Sequence, residues 1–562
     1  EKLDYLNDGD PNTSDDLGIT GIWLMPMMES PSYHGYDVTD YYNIEPDYGT
    51  MEDFEEFLEQ AQLRGIKVVI DLVLNHTSNQ HPWFTQSANN QNNFRDWYIW
   101  ADINQGLSGP WGQNTWHYNQ GNYYYGLFWS GMPDLNYEHP SVKQEMKNIA
   151  NFWLNKGVDG FRLDAIKYLI EEGSNLENTP ANFSLIEELN EVYKYTSPES
   201  FTIGEAWSNT NSIIPYVKSG RLDACFDFDL ASDIINAVNS ASSLSLTAQI
   251  QTIVESYPAL QYGTFLTNHD MDRVYNQLGY NNEKMKLAAS IYLTLPGIPF
   301  IYYGEEIGMY GSGAHENIRR PMQWTSSLNA GFSNSTPWRT VGNNYTTNNV
   351  EIMNDDDGSL INHYKKIIQI RNDQSSLRRG NILILENDNQ EILSFVRTFR
   401  NKAVLVNCNL SSNSFSPIIS LLKSSIPEGN YYLSDLYNNK ELGMIAINTQ
   451  GGFENINLFP SGLGPMESRI ILLSPYPSNN TSSENDIIIS PNPASSSFTV
   501  FLEGEPFQKA LVTVLSSDGK IILEKEMKED LLIINAKNWS KGIYIVLFSN
   551  EDRRTVKKVI IN

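Results

Sequence analysis

Three carboxylates close short apolar runs along this chain of 562 residues: Asp164 in GFRLDA, Glu205 in GEAW and Asp270 in NHD. Asn75 and His76 end another run, IKVVIDLVLNH at 66 to 76. Carboxylates and imidazoles are the side chains of proton transfer and nucleophilic attack. Taken singly, each has an ordinary explanation: a strand-end Asp commonly caps a helix, and a strand-end His commonly braces a loop. Their shared place behind apolar runs is what points to one site.

The runs themselves recur seven times: 20 to 26, 66 to 76, 158 to 165, 200 to 207, 222 to 228, 262 to 270 and 296 to 306. Between them lie helical periodicities, as in MEDFEEFLEQAQLRG at 51 to 65 and SVKQEMKNIANFWLNKG at 141 to 157. Apolar strands alternating with amphipathic helices predict an α/β fold with a parallel sheet covered by helices. Seven strands suggest an eight-stranded (β/α)8 TIM barrel, with its first strand expected before Glu1 and the helix that follows it at 1 to 9. Such barrels carry their functional residues at the carboxyl ends of the strands, where all five residues above fall.

The barrel is expected at 1–76 and 134–380, interrupted at 77–133 by an Asn-, Trp- and Tyr-rich segment too long for an ordinary loop, which reads as a protruding subdomain. Alternating strands then predict a β-sandwich at 381–475. A Ser/Asn-rich linker follows at 476–486, and a second all-β sandwich at 487–562.

Composition narrows the partners. With 39 basic against 67 acidic residues the formal charge is -28, which repels phosphate backbones and anionic membranes, so no nucleic-acid partner is expected. No window of 18 apolar residues suggests a membrane span. Aromatics form 12% of the chain, and the tract from WYIW at 97 to GNYYYGLFW at 129 suits stacking on sugar rings as well as ordinary packing. Cys225 and Cys408 lie in apolar strand-like runs and read as buried free thiols.

In order, DLVLNH at 71 to 76, MPDLN at 132 to 136, GFRLDAIKY at 160 to 168, GEAW at 204 to 207 and FLTNHD at 265 to 270 resemble the conserved regions of the α-amylase superfamily, across roughly residues 1 to 475. The resemblance implies a retaining glycoside hydrolase with Asp164 as nucleophile, Glu205 as acid/base and Asp270 as stabiliser of the transition state. It also implies sugar contacts from His76 and His269 and a stacking ring at Tyr36 in YHGYD, with Lys167 and Tyr168 on the leaving-group side. The family most often has His where this chain has Tyr168. Arg162, two residues before Asp164 and on the same strand face, is expected to pair with it and keep it ionised.

Many members of the family bind calcium at positions matching Asn75, Asp134 and the backbone carbonyl of Tyr168, an all-oxygen set suited to a hard cation. Tyr33, where chain-end-specific members carry Asp, and Ala165, where α-1,6-selective members often carry Val, favour endo-hydrolysis of α-1,4 bonds in starch, glycogen and maltooligosaccharides. NIRRPMQWT at 317 to 325 resembles the oligo-1,6-glucosidase side, and MPDLN the neopullulanase-like enzymes. An exo-acting or α-1,6-cleaving enzyme is therefore the alternative, and a non-catalytic carbohydrate-binding homologue a third reading.

Residues 487 to 562 resemble the C-terminal sorting domain of the type IX secretion system, through SPNPAS at 490, SSDGK at 516, WSKGIYIV at 539 and the closing VKKVIIN. Export across the outer membrane by that machinery is implied, to a secreted or cell-surface location.

Overall fold

A computed structural model describes residues 2–10, 13, 15–400 and 402–475 and, further on, 487–490, 492, 494, 497–502, 510–517, 519–527, 531–549 and 554–561. The expected linker at 476–486 lies outside the described residues. Seven parallel strands form one sheet in chain order: β1 (Gly21–Leu24), β2 (Lys67–Leu72), β3 (Gly160–Leu163), β4 (Phe201–Gly204), β5 (Ala224–Phe226), β6 (Tyr262–Thr264) and β7 (Ile298–Pro299). Each of the seven apolar runs contributes one. In β2 every residue after Lys67 is buried, and β3 is buried throughout, as expected of a sheet covered on both faces.

The covering helices carry clear start and stop signals. Helix α1 (Met51–Leu63) opens with a capping box in which the Thr50 and Asp53 side chains satisfy each other's backbone N–H. Helix α2 (Pro140–Lys156) is capped by His139, begins with proline and stops at Gly157, whose φ of 104° is left-handed. It presents Val142, Met146, Ile149, Ala150 and Trp153 inward. Further along, α3 (Asn282–Thr294) and α4 (Leu360–Asp373) lie side by side.

Register explains how distant residues meet. Leu72 pairs with Leu163, and Leu163 with Gly204, so the ends of β2, β3 and β4 are level. Asp164 and Glu205, the next residues along β3 and β4, therefore emerge from one edge. Asp71 pairs directly with Arg162 one step earlier.

Between β2 and α2, Trp100–Ala101, Trp116–Asn119 and Asn122–Tyr125 form a small antiparallel sheet with the last at its centre. The segment returns to the end of β2 through bridges His76 to Asp134 and Tyr98 to Leu135. After α4, strands β8 (Asn381–Ile384), β9 (Ile392–Phe399), β10 (Lys402–Asn409) and β11 (Ser468–Ser474) pair antiparallel in the order β8-β9-β10-β11. Cys225 on β5 and Cys408 on β10 are free and buried, as expected.

The C-terminal region is a separate unit. Its strands Ile487–Ser490, Ser497–Leu502 and Leu531–Asn535 form one antiparallel sheet, and Ile521–Met527, Ala510–Ser516, Gly542–Ser549 and Arg554–Ile561 another. Val500, Val512, Val514, Val546 and Val559 are fully buried between them.

Candidate active site

The level strand ends bring three carboxyl groups around one guanidinium. Arg162, fully buried, places Nη1 2.9 Å from both oxygens of Asp71 and 2.6 Å from Asp164 Oδ1, and places Nη2 3.2 Å from Glu205 Oε2. Three carboxyls thus share one positive charge. The turn after Asp164 is fixed by Ala165, whose left-handed φ of 47° directs its backbone N–H to donate to Glu205 Oε2 at 3.0 Å. A non-glycine residue there is held in a strained conformation, as is common where geometry serves a site.

The pairing of Arg162 with Asp164 expected from the sequence is present, but its effect on ionisation is outweighed. Burial, with the Glu205 and Asp71 charges added to it, pushes the Asp164 carboxyl well above its ordinary range against the pull of Arg162. One guanidinium thus serves three carboxyls, two of which, Asp164 and Asp71, burial disfavours as anions.

Asp270 has the opposite surroundings. Its Oδ2 lies 2.9 Å from His269 Nε2, while Oδ1 accepts from Arg319 Nη2 at 2.8 Å and lies 3.4 Å from His315 Nδ1. Burial alone would raise this carboxyl; His269, hydrogen bonds from His269 and His315, and Arg319 reverse that and hold it far below the usual range. The Tyr36 ring is stacked parallel to His269, 5.6 Å between centres, and its hydroxyl contacts His269 Nε2 at 2.7 Å and donates to Asp71 at 3.0 Å. A carboxylate held low and a carboxyl cluster pushed up therefore flank the same rings.

Comparison with known proteins decides what this arrangement belongs to. Residues 1–380 match the family described as alpha amylase, catalytic domain. Alpha-amylase 3 of Dictyoglomus thermophilum is 40% identical over 425 residues, covering 74% of this chain and 81% of that protein. The chain belongs to the α-amylase family. It is accordingly a glycoside hydrolase of α-glucans. The oligo-1,6-glucosidase of Parageobacillus thermoglucosidasius is 32% identical over 74% of this chain and 85% of its own length. The crystal structure of the α-amylase from H. orenii superposes with a TM-score of 0.72 at 38% identity, over 84% of this chain and 93% of that one. Residues 489–562 match the secretion system C-terminal sorting domain, which directs type IX export across the outer membrane to the medium or the cell surface. Among the described residues no helix is long and apolar enough to cross a membrane.

The remaining expected contacts surround the same edge of this α-amylase-family sheet. His76 is buried, burial lowers it to about 3 so that it is neutral, and its Nε2 has no hydrogen-bond partner among the described residues. Phe128 packs edge-on against both His76 and Tyr168, at 5.2 and 5.9 Å between ring centres. Lys167 is differently placed from a free sugar contact. Its ammonium donates to the Trp207 carbonyl at 2.8 Å and the Ser208 hydroxyl at 3.2 Å and pairs with Glu177 at 2.8 Å, so all three protons have protein acceptors.

Two of the three expected calcium ligands, Asn75 and Asp134, meet. Asn75 Nδ2 donates to Asp134 Oδ2 at 3.0 Å, while Asp134 Oδ1 accepts from the Leu127 N–H. Burial and the neighbouring Glu171 charge push Asp134 well up, burial pushes Glu171 to about 7, and Glu171 Oε1 is buried with no partner among the described residues. Two carboxyls, an amide and a carbonyl fit a hard cation. Among the described residues no three carboxylates, imidazoles or thiols converge on a metal position.

Sequence reasoning passed over four residues of the site: Asp71, Trp23, Arg319 and His315. Trp23 Nε1 donates to Asp71 Oδ2 at 3.3 Å. Asp71 opens the quoted string DLVLNH, and its inward alternation with Arg162 was the available signal. His315 and Arg319 reach Asp270 from more than forty residues away; Arg319 stands in NIRRPMQWT, but nothing in that string names Asp270 as its partner.

Proposed function

We propose that this chain is a retaining, endo-acting hydrolase of α-1,4-glucosidic bonds in starch, glycogen and maltooligosaccharides. The observation that carries it is the Arg162 guanidinium spanning Asp164 and Glu205 while Asp270 stands apart as a fixed anion. Two carboxyls bridged by one guanidinium suit the short separation of about 5–5.5 Å that retention requires. The retaining reaction requires Glu205 to carry a proton and Asp164, held by Arg162, to be the anion. Glu205 gives its proton to the glycosidic oxygen as Asp164 forms a bond to the anomeric carbon and the leaving sugar departs. Water then attacks that carbon, Glu205 takes its proton, and Asp164 is released. Asp270 offsets the positive charge that develops on the sugar in both steps. The neutral His76, with Nε2 unpaired, and His269 are suited to hold sugar hydroxyls, with Tyr36 under the ring.

The α-1,4 and endo assignments rest on Tyr33 and Ala165 and agree with the relative named alpha-amylase. The NIRRPMQWT segment and the relative named oligo-1,6-glucosidase favour a second reading, exo or α-1,6 cleavage. Products from amylose, pullulan and isomaltose separate them: maltose and longer products from amylose are expected. Glucose alone, or cleavage of isomaltose alone, would install the second reading. Full activity in Asp164→Asn would move the chemistry elsewhere.

Calcium belongs to the same reading as a structural ion on Asn75, Asp134 and the Tyr168 carbonyl, bracing the 77–133 segment against β2. A higher melting temperature in calcium than in chelator is expected, with the difference abolished in Asp134→Ala. The seven-stranded sheet is read as a (β/α)8 barrel that an eighth strand would close between β1 and β7, and the antiparallel regions after it as two β-sandwiches.

A further inference from the structure

The proposed chemistry leaves one motif unused: NIRRPMQWT at 317 to 325. It joins Asp270 to a pair of exposed rings. Besides its bond to Asp270, Arg319 donates from Nε to the His269 carbonyl at 3.0 Å, and its guanidinium carbon lies 5.6 Å from the centre of the Tyr33 ring. Arg319 Nη1 is buried and has no hydrogen-bond partner among the described residues. Tyr33 stacks on Trp338 with ring centres 5.1 Å apart and 19° between the planes.

The loop bearing Trp338 is tied to the same motif. Arg320 Nη1 donates to the Thr340 carbonyl at 2.6 Å and to the Val341 carbonyl at 3.3 Å, and Arg339 Nη2 donates to Asn317 Oδ1 at 2.6 Å. Side chains of consecutive residues thus hold the Asp270 carboxylate on one side and the Trp338 loop on the other.

These rings are not core. Tyr33 is 44% exposed and Trp338 52%, whereas Tyr36, three residues from Tyr33, is buried against His269 and Asp71. Tyr33 packs edge-on against His34 at 5.3 Å between centres, and His34 stacks on Tyr36 at 6.2 Å, so the outer pair reaches the ring assigned to the cleavage point through one intervening ring. A pyranose presents a face of C–H bonds that packs on an aromatic face. A pair already stacked, with its loop pinned by arginines, loses little conformational freedom when a sugar arrives.

We infer that Tyr33 and Trp338 form a stacking platform for a glucose unit beyond the one at the cleavage point, selecting long α-glucan segments over short ones. The inference rests on the α-glucan reading above and adds a determinant of substrate length to it. A unit stacked there is one that the shortest oligosaccharides supply poorly and that polymers always supply.

Steady-state kinetics of the full chain on amylose, maltoheptaose and maltotriose test it, in wild type, Trp338→Ala, Trp338→Phe and Tyr33→Ala. Trp338→Ala is expected to raise KM on amylose and maltoheptaose by about tenfold, with kcat changed far less and a smaller effect on maltotriose. Phenylalanine is expected to restore most of the loss, and Tyr33→Ala, with Trp338 left in place, to show the same dependence on length. Equal losses at all three lengths, or a fall in kcat at constant KM, would overturn the platform and assign Trp338 to bracing Asp270. Unchanged kinetics in both alanine variants would remove the rings from the site altogether. A wild-type protein inactive on all three substrates would refute the α-glucan reading itself, a result distinct from these.

Discussion

Arg162 shows how much one residue can determine here. Its guanidinium touches Asp71, Asp164 and Glu205, and its ionic balance sets which carboxyl can be an anion. Asp71 takes no part in the proposed bond changes, yet its two oxygens accept from Arg162, Tyr36 and Trp23. Asn at this position keeps the shape, removes the charge and leaves one acceptor oxygen for three donors. Asp71→Asn is expected to lower stability by about 1–3 kcal/mol. It is also expected to lower kcat on soluble starch by about a hundredfold, through displacement of Arg162 and Tyr36. Urea unfolding and initial rates check the two effects separately, and a kcat within twofold of wild type would show that Asp71 only fills space.

At the scale of elements, the site depends on how tightly β4 approaches its neighbours. A Cβ on Gly204 would lie 2.4 Å from Ile166 Cδ1, 2.7 Å from Leu222 Cδ1 and 3.2 Å from Cys225 Sγ. Ile166 follows the Ala165 turn whose N–H holds Glu205, so pressure there is transmitted to both carboxyls. Gly204→Ala is expected to lose about 1–3 kcal/mol to overpacking, with kcat falling as well; wild-type kcat in a destabilised variant would separate the strand approach from the chemistry. The strands and their carboxylates were legible because apolar run and polar tail sit within one short string, as in VDGFRLDA and SFTIGEAW. The segment from 303 to 350 was not. It has few regular elements, and its contacts run from Arg319 to Asp270 and from Trp338 to Tyr33, across intervals that no periodicity encodes. The opposing pull of burial on Asp164 was illegible for a related reason, since the sequence shows the partner Arg162 but not the depth at which both are buried.

At the scale of the whole molecule, stability should depend on pH through a carboxyl that the proposed chemistry does not use. Glu305 Oε1 accepts hydrogen bonds from Tyr292 on α3 at 2.9 Å and Tyr364 on α4 at 2.6 Å, and burial pushes its carboxyl to about 8. The unfolded chain releases this proton above its ordinary value of 4.5, while the folded chain keeps it to about 8. The unfolded state therefore binds fewer protons in that window, and stability falls as pH rises through it, by up to about 1.4 kcal/mol per pH unit. Unfolding free energies at pH 5, 7 and 9 should show this decline, and Glu305→Gln should flatten it; an unchanged slope in that variant would assign the decline to other groups.

Cys225 and Cys408 lie in two different sheets, and burial pushes both thiols upward, Cys408 to about 12. For a protein exported to an oxidising exterior, these are reactive groups sealed by folding alone. An alkylating reagent added to the native enzyme can reach either sulfur only when its own sheet opens. The rate at which each is modified consequently clocks the breathing of the parallel and antiparallel regions separately, with no probe introduced.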